Sequence, residues 1–287
     1  MNRRRFLSIT AAAMAVPQTA RTETLWQGVA LGADASLRLS GRTDHAQAAL
    51  DGLRALLERV EATFSLYRAS ELTRLNQGGA ITPSDWFRQV VDLSGTLHRQ
   101  TGGAFDPSVQ PLWQAWETGQ PTDPALLGWD KVQTGSRITL MPGQALTFNG
   151  IAQGFATDLV RAHLAEHGFD HALINIGEYA ALGGPFRLGI SDPQAGLLAD
   201  WHLTGGALAV SSPMATLIAG RPHIQHPRGL PPLWATVSVQ ADSAAVADGL
   251  STALVFLSRS QIASVTAARP DIRRVALVDA AGNLETL

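Results

Sequence analysis

The amino-acid sequence predicts an α+β fold of mixed helices and antiparallel strands. Three observations carry that expectation. Up to Glu166 the chain holds long segments whose apolar residues recur at helical spacing. From His171 onward it changes to short β-like runs broken by Gly, Pro and Asp, the pattern of hairpins. Helices and strands do not alternate as a regular βαβ series would require.

The elements are justified in order. Thr24 to Leu39 reads as a strand pair. Asp44 to Phe64 is an amphipathic helix, with Leu50, Leu53, Leu56, Leu57 and Val60 at helical spacing. A polar stretch, Ser65 to Asn76, is expected to be a loop. Thr82-Pro83-Ser84 is a capping signal for a helix that runs to Thr101 and stops at Gly102-Gly103. Gly119 to Trp129, rich in Pro, Gly and Asp, reads as a surface connection. Arg137 to Phe148 reads as two short strands around Pro142-Gly143, and Ala152 to Glu166 as another amphipathic helix. Ala172 to Ile176, Phe186 to Ile190, Trp201 to Leu203, Ala207 to Ser211, Ala215 to Ala219 and Ala235 to Val239 follow as strands. A helix over Ser243 to Leu257, a shorter one from near Ser260 and a strand over Val275 to Val278 close the chain.

Composition excludes several function classes. A chain of 287 residues is long enough for a well-buried core. Its 45% hydrophobic and 16% charged residues suit a globular protein. A net charge of −2 gives no electrostatic reason to expect nucleic acid or an anionic membrane surface as partner. The absence of cysteine rules out disulfides, thiolate metal sites, cysteine nucleophiles and a lipoprotein anchor. At the N-terminus Arg3, Arg4 and Arg5 precede Phe6-Leu7 and a short apolar run, Ala11 to Val16. This is the pattern of a twin-arginine-type signal peptide over residues 1–23, leaving residues 24–287 as the functional domain. Export to the periplasm is expected; a basic N-terminus on a cytoplasmic protein is the alternative. The apolar run is too short to span a bilayer.

Several segments bear residues suited to chemistry. Asp248 and Thr252 lie four apart, on one face of the helix that Ser243 caps. A carboxylate among Ala, Val and Leu needs a partner or a cation, and an Asp–hydroxyl pair suits Mg²⁺. A solvent-exposed Asp, with Thr252 bonded to its own helix, is the reading that the spacing alone favours. Asn149 to Asp158 is a Gly-bearing turn into a helix, a ready anion site, but it matches neither the P-loop nor the GxGxxG pattern. His223 precedes a Pro227-Arg228-Gly229 turn and could serve as a base near neutral pH. With His226 it has HxxH spacing, yet on a strand the two would face opposite ways. Two solvated histidines on a hairpin is the plain alternative. Tyr67 and Phe105 could stack on a planar ring or simply pack in the core.

Taken together and in this order, the segments resemble the ApbE family of FAD:protein FMN transferases. The resemblance runs from about Leu25 to Leu277. It is carried by Ser65 to Asn76, Thr101-Gly-Gly-x-Phe-Asp-Pro107, Gly150-Ile-Ala-x-Gly-Phe-Ala-x-Asp158, Asn175-x-Gly177, His223-x-x-x-Pro227-Arg228 and Ala247-Asp-x-Leu-Ser-Thr-Ala253. It implies an ApbE-like fold, a compact two-lobed single unit, and Mg²⁺ bound by Asp248, Thr252 and the carbonyl of Ala152. It also implies His223 as base, and a flavin or adenosine pocket shaped by Tyr67, Glu71, Phe105, Asp106, Gly154 and Asp158. The implied reaction moves the FMN half of FAD, as substrate, onto a Ser or Thr hydroxyl of an exported or membrane-anchored acceptor flavoprotein, with release of AMP. The acceptor site would be of the Asp-x-x-Ser/Thr-Gly-Ala-Thr type. Storage or delivery of FAD without catalysis, and FAD pyrophosphatase activity, are the other readings. The sequence departs from the family pattern at Gln153 (usually Lys), Glu178 (usually Gly), His226 (usually Asp) and Ser212-Pro213-Met214 (usually Ser-Gly-Asp).

Overall fold

The structure is a computed structural model that describes residues 23–41 and 43–287. The expected signal peptide lies outside the described residues except for Glu23, which opens the first strand. The first half of the described chain contains β1 (Glu23–Ala30), β2 (Ala33–Ser40), α1 (Thr43–Phe64), α2 (Glu71–Gly78), β3 (Ala80–Ile81), α3 (Asp85–Gln100), α4 (Gln110–Thr118) and β4 (Ile138–Thr139). Then come α5 (Ala152–Glu166), β5 (Ala172–Asn175), β6 (Tyr179–Leu182), β7 (Phe186–Asp192), β8 (Gly196–Leu203) and β9 (Ala207–Ser211). The last part holds β10 (Leu217–Ile218), β11 (Arg221–Pro222), β12 (Thr236–Ala241), α6 (Ala244–Leu254), α7 (Arg259–Ala267), β13 (Ile272–Val278) and β14 (Leu284–Thr286).

Eight strands form one antiparallel sheet in the order β1-β2-β5-β6-β9-β12-β13-β14. Successive side chains along a strand point to opposite faces, and the sequence puts apolar residues on both. Leu37, Leu39, Ile174, Val237, Val239, Val275 and Leu277 face the large core under the helices. Their neighbours Leu173, Leu208 and Ala276 face the other side, against Leu188, Ile190, Trp201 and Leu203 of the β7–β8 hairpin. That is the α+β arrangement of helices and antiparallel strands expected from the sequence. Within the large core, Phe64, Phe87, Phe148 and Phe155 meet at centroid separations of 5.4–6.0 Å, mostly edge to face. Among the described residues no helix is long and apolar enough to cross a membrane.

Two expectations are corrected. The Ser65–Asn76 stretch is not a loop throughout, because α2 starts at Glu71. Ser70 accepts the Thr73 N–H while the Thr73 hydroxyl accepts the Ser70 N–H, a reciprocal cap that starts a helix inside a polar segment. The region Arg137 to Phe148 holds only β4, paired with β3, and no second strand. There the Asn76 side chain takes over the pairing, accepting from Leu146 N at 2.8 Å and donating to Leu146 O at 2.9 Å. A buried backbone satisfied by one amide side chain has no need of a partner strand.

Candidate active site

The helix-start turn and the Asp248 helix predicted from sequence meet at one junction. Asp158 of α5 accepts hydrogen bonds from Ser243 Oγ (2.6 Å), Ala244 N (3.0 Å) and Ala245 N (3.0 Å), so it caps α6. The two helices then cross at glycine. A Cβ on Gly154 would lie 2.3 Å from the Ala244 carbonyl oxygen and 2.7 Å from Asp248 Cβ. Because one obstacle is backbone, it cannot swing away. Gly154→Ala is expected to destabilise the protein by about 2–3 kcal/mol, a fall readable in thermal denaturation. A midpoint equal to wild type would refute this close approach.

The same crossing carries the Gly154 N–H to Asp248 Oδ2 at 2.9 Å. Asp248 is only 3% exposed, which excludes the solvent-exposed alternative. Burial pushes its carboxyl up to about 7, against the opposing pull of the Gly154 N–H. Glu178, between β5 and β6, is also buried and accepts from Val210 N at 3.2 Å. Burial first, and then the charge of Asp248, raises its carboxyl well above the ordinary range. Among the described residues no arginine or lysine pairs with either carboxylate. Thr252, one turn after Asp248, has its hydroxyl 3.4 Å from Ser211 Oγ, which itself bonds Ser251 at 2.8 Å. A Cβ on Gly150 would fall 2.8 Å from Thr252 Oγ1, so the turn leading to Ala152, the first residue of α5, lies against that hydroxyl.

Asp248, Thr252, Ala152 and Gly154 are therefore brought together, and Glu178 joins them. Two buried carboxylates without a counter-charge are neutralised either by protonation, the direction in which burial moves both, or by a bound cation. The donors at hand are carboxylate, hydroxyl and carbonyl oxygens, a set that fits a hard divalent cation such as Mg²⁺. Among the described residues no group of three or more His, Cys, Asp or Glu is poised to hold a metal. A cation here would thus depend on the Thr252 hydroxyl and on backbone oxygen as well as carboxylate. Glu178 stood out in the sequence only as a departure from the family pattern; its placement after the strand-ending Asn175-Ile-Gly177 was the available signal.

The two histidines are buried, at 7% for His223 and 2% for His226, and so are not solvated residues of a hairpin. His223 follows the two-residue β11, and its Nδ1 donates to the carbonyls of Pro213 (2.9 Å) and Thr216 (3.2 Å). A proton held on Nδ1 leaves Nε2 of the neutral ring with its lone pair. Burial lowers the pKa of His223, with the two carbonyls working in the opposite direction. His226 has different partners. It accepts the Arg228 N–H and packs on Phe256, so the structure does not pair the two imidazoles.

A cavity of about 620 Å³ opens beside the Thr101–Pro107 motif, lined by His98, Gly103, Asp106, Leu127, Pro227 and Arg228 among others. Asp106 is held there by Ser108 N (2.8 Å) and Trp129 N (3.1 Å), and Phe105 is buried in the adjoining core. His98, not singled out from sequence, donates from Nδ1 to the Phe105 carbonyl at 2.9 Å, and its Nε2 lies 3.6 Å from Asp130. The cavity lining does not include Tyr67, Glu71 or Asp158. Tyr67 is 71% exposed, Glu71 accepts from Ser84 N at 3.0 Å, and Asp158 is taken up by the α6 cap. An oxygen cluster and a neutral imidazole with a free nitrogen are groups that phosphate transfer can use, and the cavity, whose lining includes neither Asp248, Thr252 nor His223, is large enough for a ligand.

Known proteins resemble this chain in sequence and fold. The profile of the ApbE family matches residues 31–276. A Haemophilus influenzae protein named FAD:protein FMN transferase is 28% identical over 254 residues, covering 74% of this chain and 73% of that protein. Among solved structures, the flavin transferase ApbE from Vibrio cholerae superposes with a TM-score of 0.82 at 23% identity, covering 93% of this chain and 97% of that one. The apo flavinyl transferase ApbE from Pseudomonas stutzeri gives a TM-score of 0.78 at 25% identity, over 93% and 94%. With a family match over most of its length and this fold, the chain belongs to the ApbE family.

Proposed function

We propose that this protein is a Mg²⁺-dependent FAD:protein FMN transferase, which moves the FMN half of FAD onto a Ser or Thr hydroxyl of an acceptor flavoprotein and releases AMP. The observation that carries the reading is the pair of buried, uncompensated carboxylates, Asp248 and Glu178, beside the Thr252 hydroxyl. The Haemophilus influenzae relative, named FAD:protein FMN transferase, supports the reaction class. Asp248, Thr252 and the Ala152 carbonyl would hold Mg²⁺, which when bound neutralises pyrophosphate charge and makes the phosphorus more electrophilic.

The chain's own residues do the rest. The cavity lined by Asp106 and Arg228 binds part of the dinucleotide. His223 Nε2 takes the proton of the acceptor hydroxyl. The freed oxygen forms a bond to the FMN phosphorus. The bond from that phosphorus to the bridging oxygen breaks, and AMP departs with that oxygen. The acceptor is left with FMN on a phosphoester. Export by the twin-arginine route, which Arg3 to Arg5 support, would place residues 24–287 in the periplasm with exported or membrane-anchored acceptors.

The test is mass spectrometry of an acceptor domain carrying an Asp-x-x-Ser/Thr-Gly-Ala-Thr site, after incubation with the mature protein, FAD and Mg²⁺. A gain of one FMN that EDTA abolishes is the expected result. AMP released with no acceptor present would mean hydrolysis instead. Bound FAD that stays intact in the presence of acceptor would make this a flavin-binding or delivery protein.

A further inference from the structure

His226 stands where a base, a metal ligand or a surface residue could be imagined, and its surroundings fit none of these. Its Nδ1 lies 3.0 Å from Arg228 N. A backbone N–H can only donate, so Nδ1 carries no proton and the ring is neutral with its proton on Nε2. His223 shows the opposite arrangement, with Nδ1 donating to carbonyl oxygens. The His226 ring also stands edge-on to Phe256, at a centroid distance of 5.1 Å and an angle of 80°. Phe256 follows the end of α6, the helix that carries Asp248 and Thr252.

His226 closes its turn twice. Its side chain takes the Arg228 N–H, and its carbonyl accepts from Gly229 N at 2.9 Å. Gly229 has a φ of 68°, the left-handed geometry that suits glycine at the end of such a turn. The two residues so fixed, Pro227 and Arg228, line the 620 Å³ cavity together with His98 and Asp106. Arg228 and Arg99 are the cavity's arginines, suited to an anionic group such as a dinucleotide phosphate.

We infer that His226 is a positioning residue for the dinucleotide: anchored on Phe256, it accepts the Arg228 N–H and so fixes the Pro227–Arg228 wall of the cavity, and it takes no part in proton transfer. An Asp or Asn side chain can accept a backbone N–H two residues on in the same way. The inference rests on assigning the cavity to FAD.

The test compares wild type with His226→Leu and His226→Asn, using FAD as the titrant and a transfer assay. His226→Leu is expected to raise the Kd and KM for FAD about five- to tenfold, the change for one lost hydrogen bond, with kcat within about twofold of wild type. His226→Asn is expected to restore binding. Nitrogen NMR of the wild-type imidazole should show Nδ1 unprotonated and Nε2 protonated, a readout that holds even if the Leu variant does not fold. A large fall in kcat at unchanged KM, unaltered FAD affinity in the Leu variant, or a protonated Nδ1 would each overturn the role. Wild-type protein that shows the expected tautomer yet binds no FAD would overturn the cavity assignment instead.

Discussion

Asp248→Ala is expected to cut transfer of FMN from FAD by at least about 10³-fold, a loss of roughly 4 kcal/mol of transition-state stabilisation. The protein should stay folded. The variant loses the acceptor for the Gly154 N–H, worth about 1 kcal/mol, but it also removes a buried carboxylate that has no counter-charge. Asp248→Asn separates the two effects, because its side-chain oxygen can still accept from Gly154. In the metal-free protein Asn should raise the melting temperature, and it should abolish the further rise that Mg²⁺ gives wild type through ligand linkage. Near-normal transfer in Asp248→Ala, or an equal Mg²⁺-induced rise in Asp248→Asn, would remove Asp248 from the cation site.

How much of this was legible in the sequence depended on the range of the interactions. The strand pair at Thr24–Leu39, the helices over 44–64, 85–100 and 152–166, and the Asp248 helix were readable because period and capping are local. The Asp248–Thr252 spacing was readable too, though not its burial, which comes from sheet strands β9 and β12 and from α5 packing around α6. Glu178 escaped because its significance lies in the charge of Asp248, 70 positions later in the chain. The missing second strand near Leu146 escaped for the same reason, since Asn76 satisfies that backbone from 70 residues away.

The departures from the family pattern look different once the side chains are placed. Gln153, where a lysine is usual, sits so close to Gly177 that a Cβ there would meet it at 2.6 Å. It contributes no charge to the carboxylate pair beside it, which deepens the need for an external cation. Ser212-Pro213-Met214 still holds His223, because the contact uses the Pro213 carbonyl and not a side chain. A backbone acceptor survives a change of residue type that a side-chain acceptor would not.

His223→Ala is expected to slow transfer by about 10²–10⁴-fold while leaving FAD affinity unchanged. Two carbonyls fix the proton on Nδ1, so the lone pair on Nε2 is the part of the ring available to an acceptor hydroxyl. Burial disfavours the imidazolium and holds the pKa below the usual 6.5. The sign of the pH effect follows. The base works unprotonated, so most of it is active near pH 7, and the rate falls as pH drops through a pKa below the usual 6.5. The acid limb of kcat should therefore lie on the acidic side of a free imidazole and should vanish in His223→Ala. An unchanged rate in that variant, or an acid limb that survives it, would assign the proton transfer to another group. His226 would be a poor successor, since its Nδ1 lone pair is already taken by the Arg228 N–H.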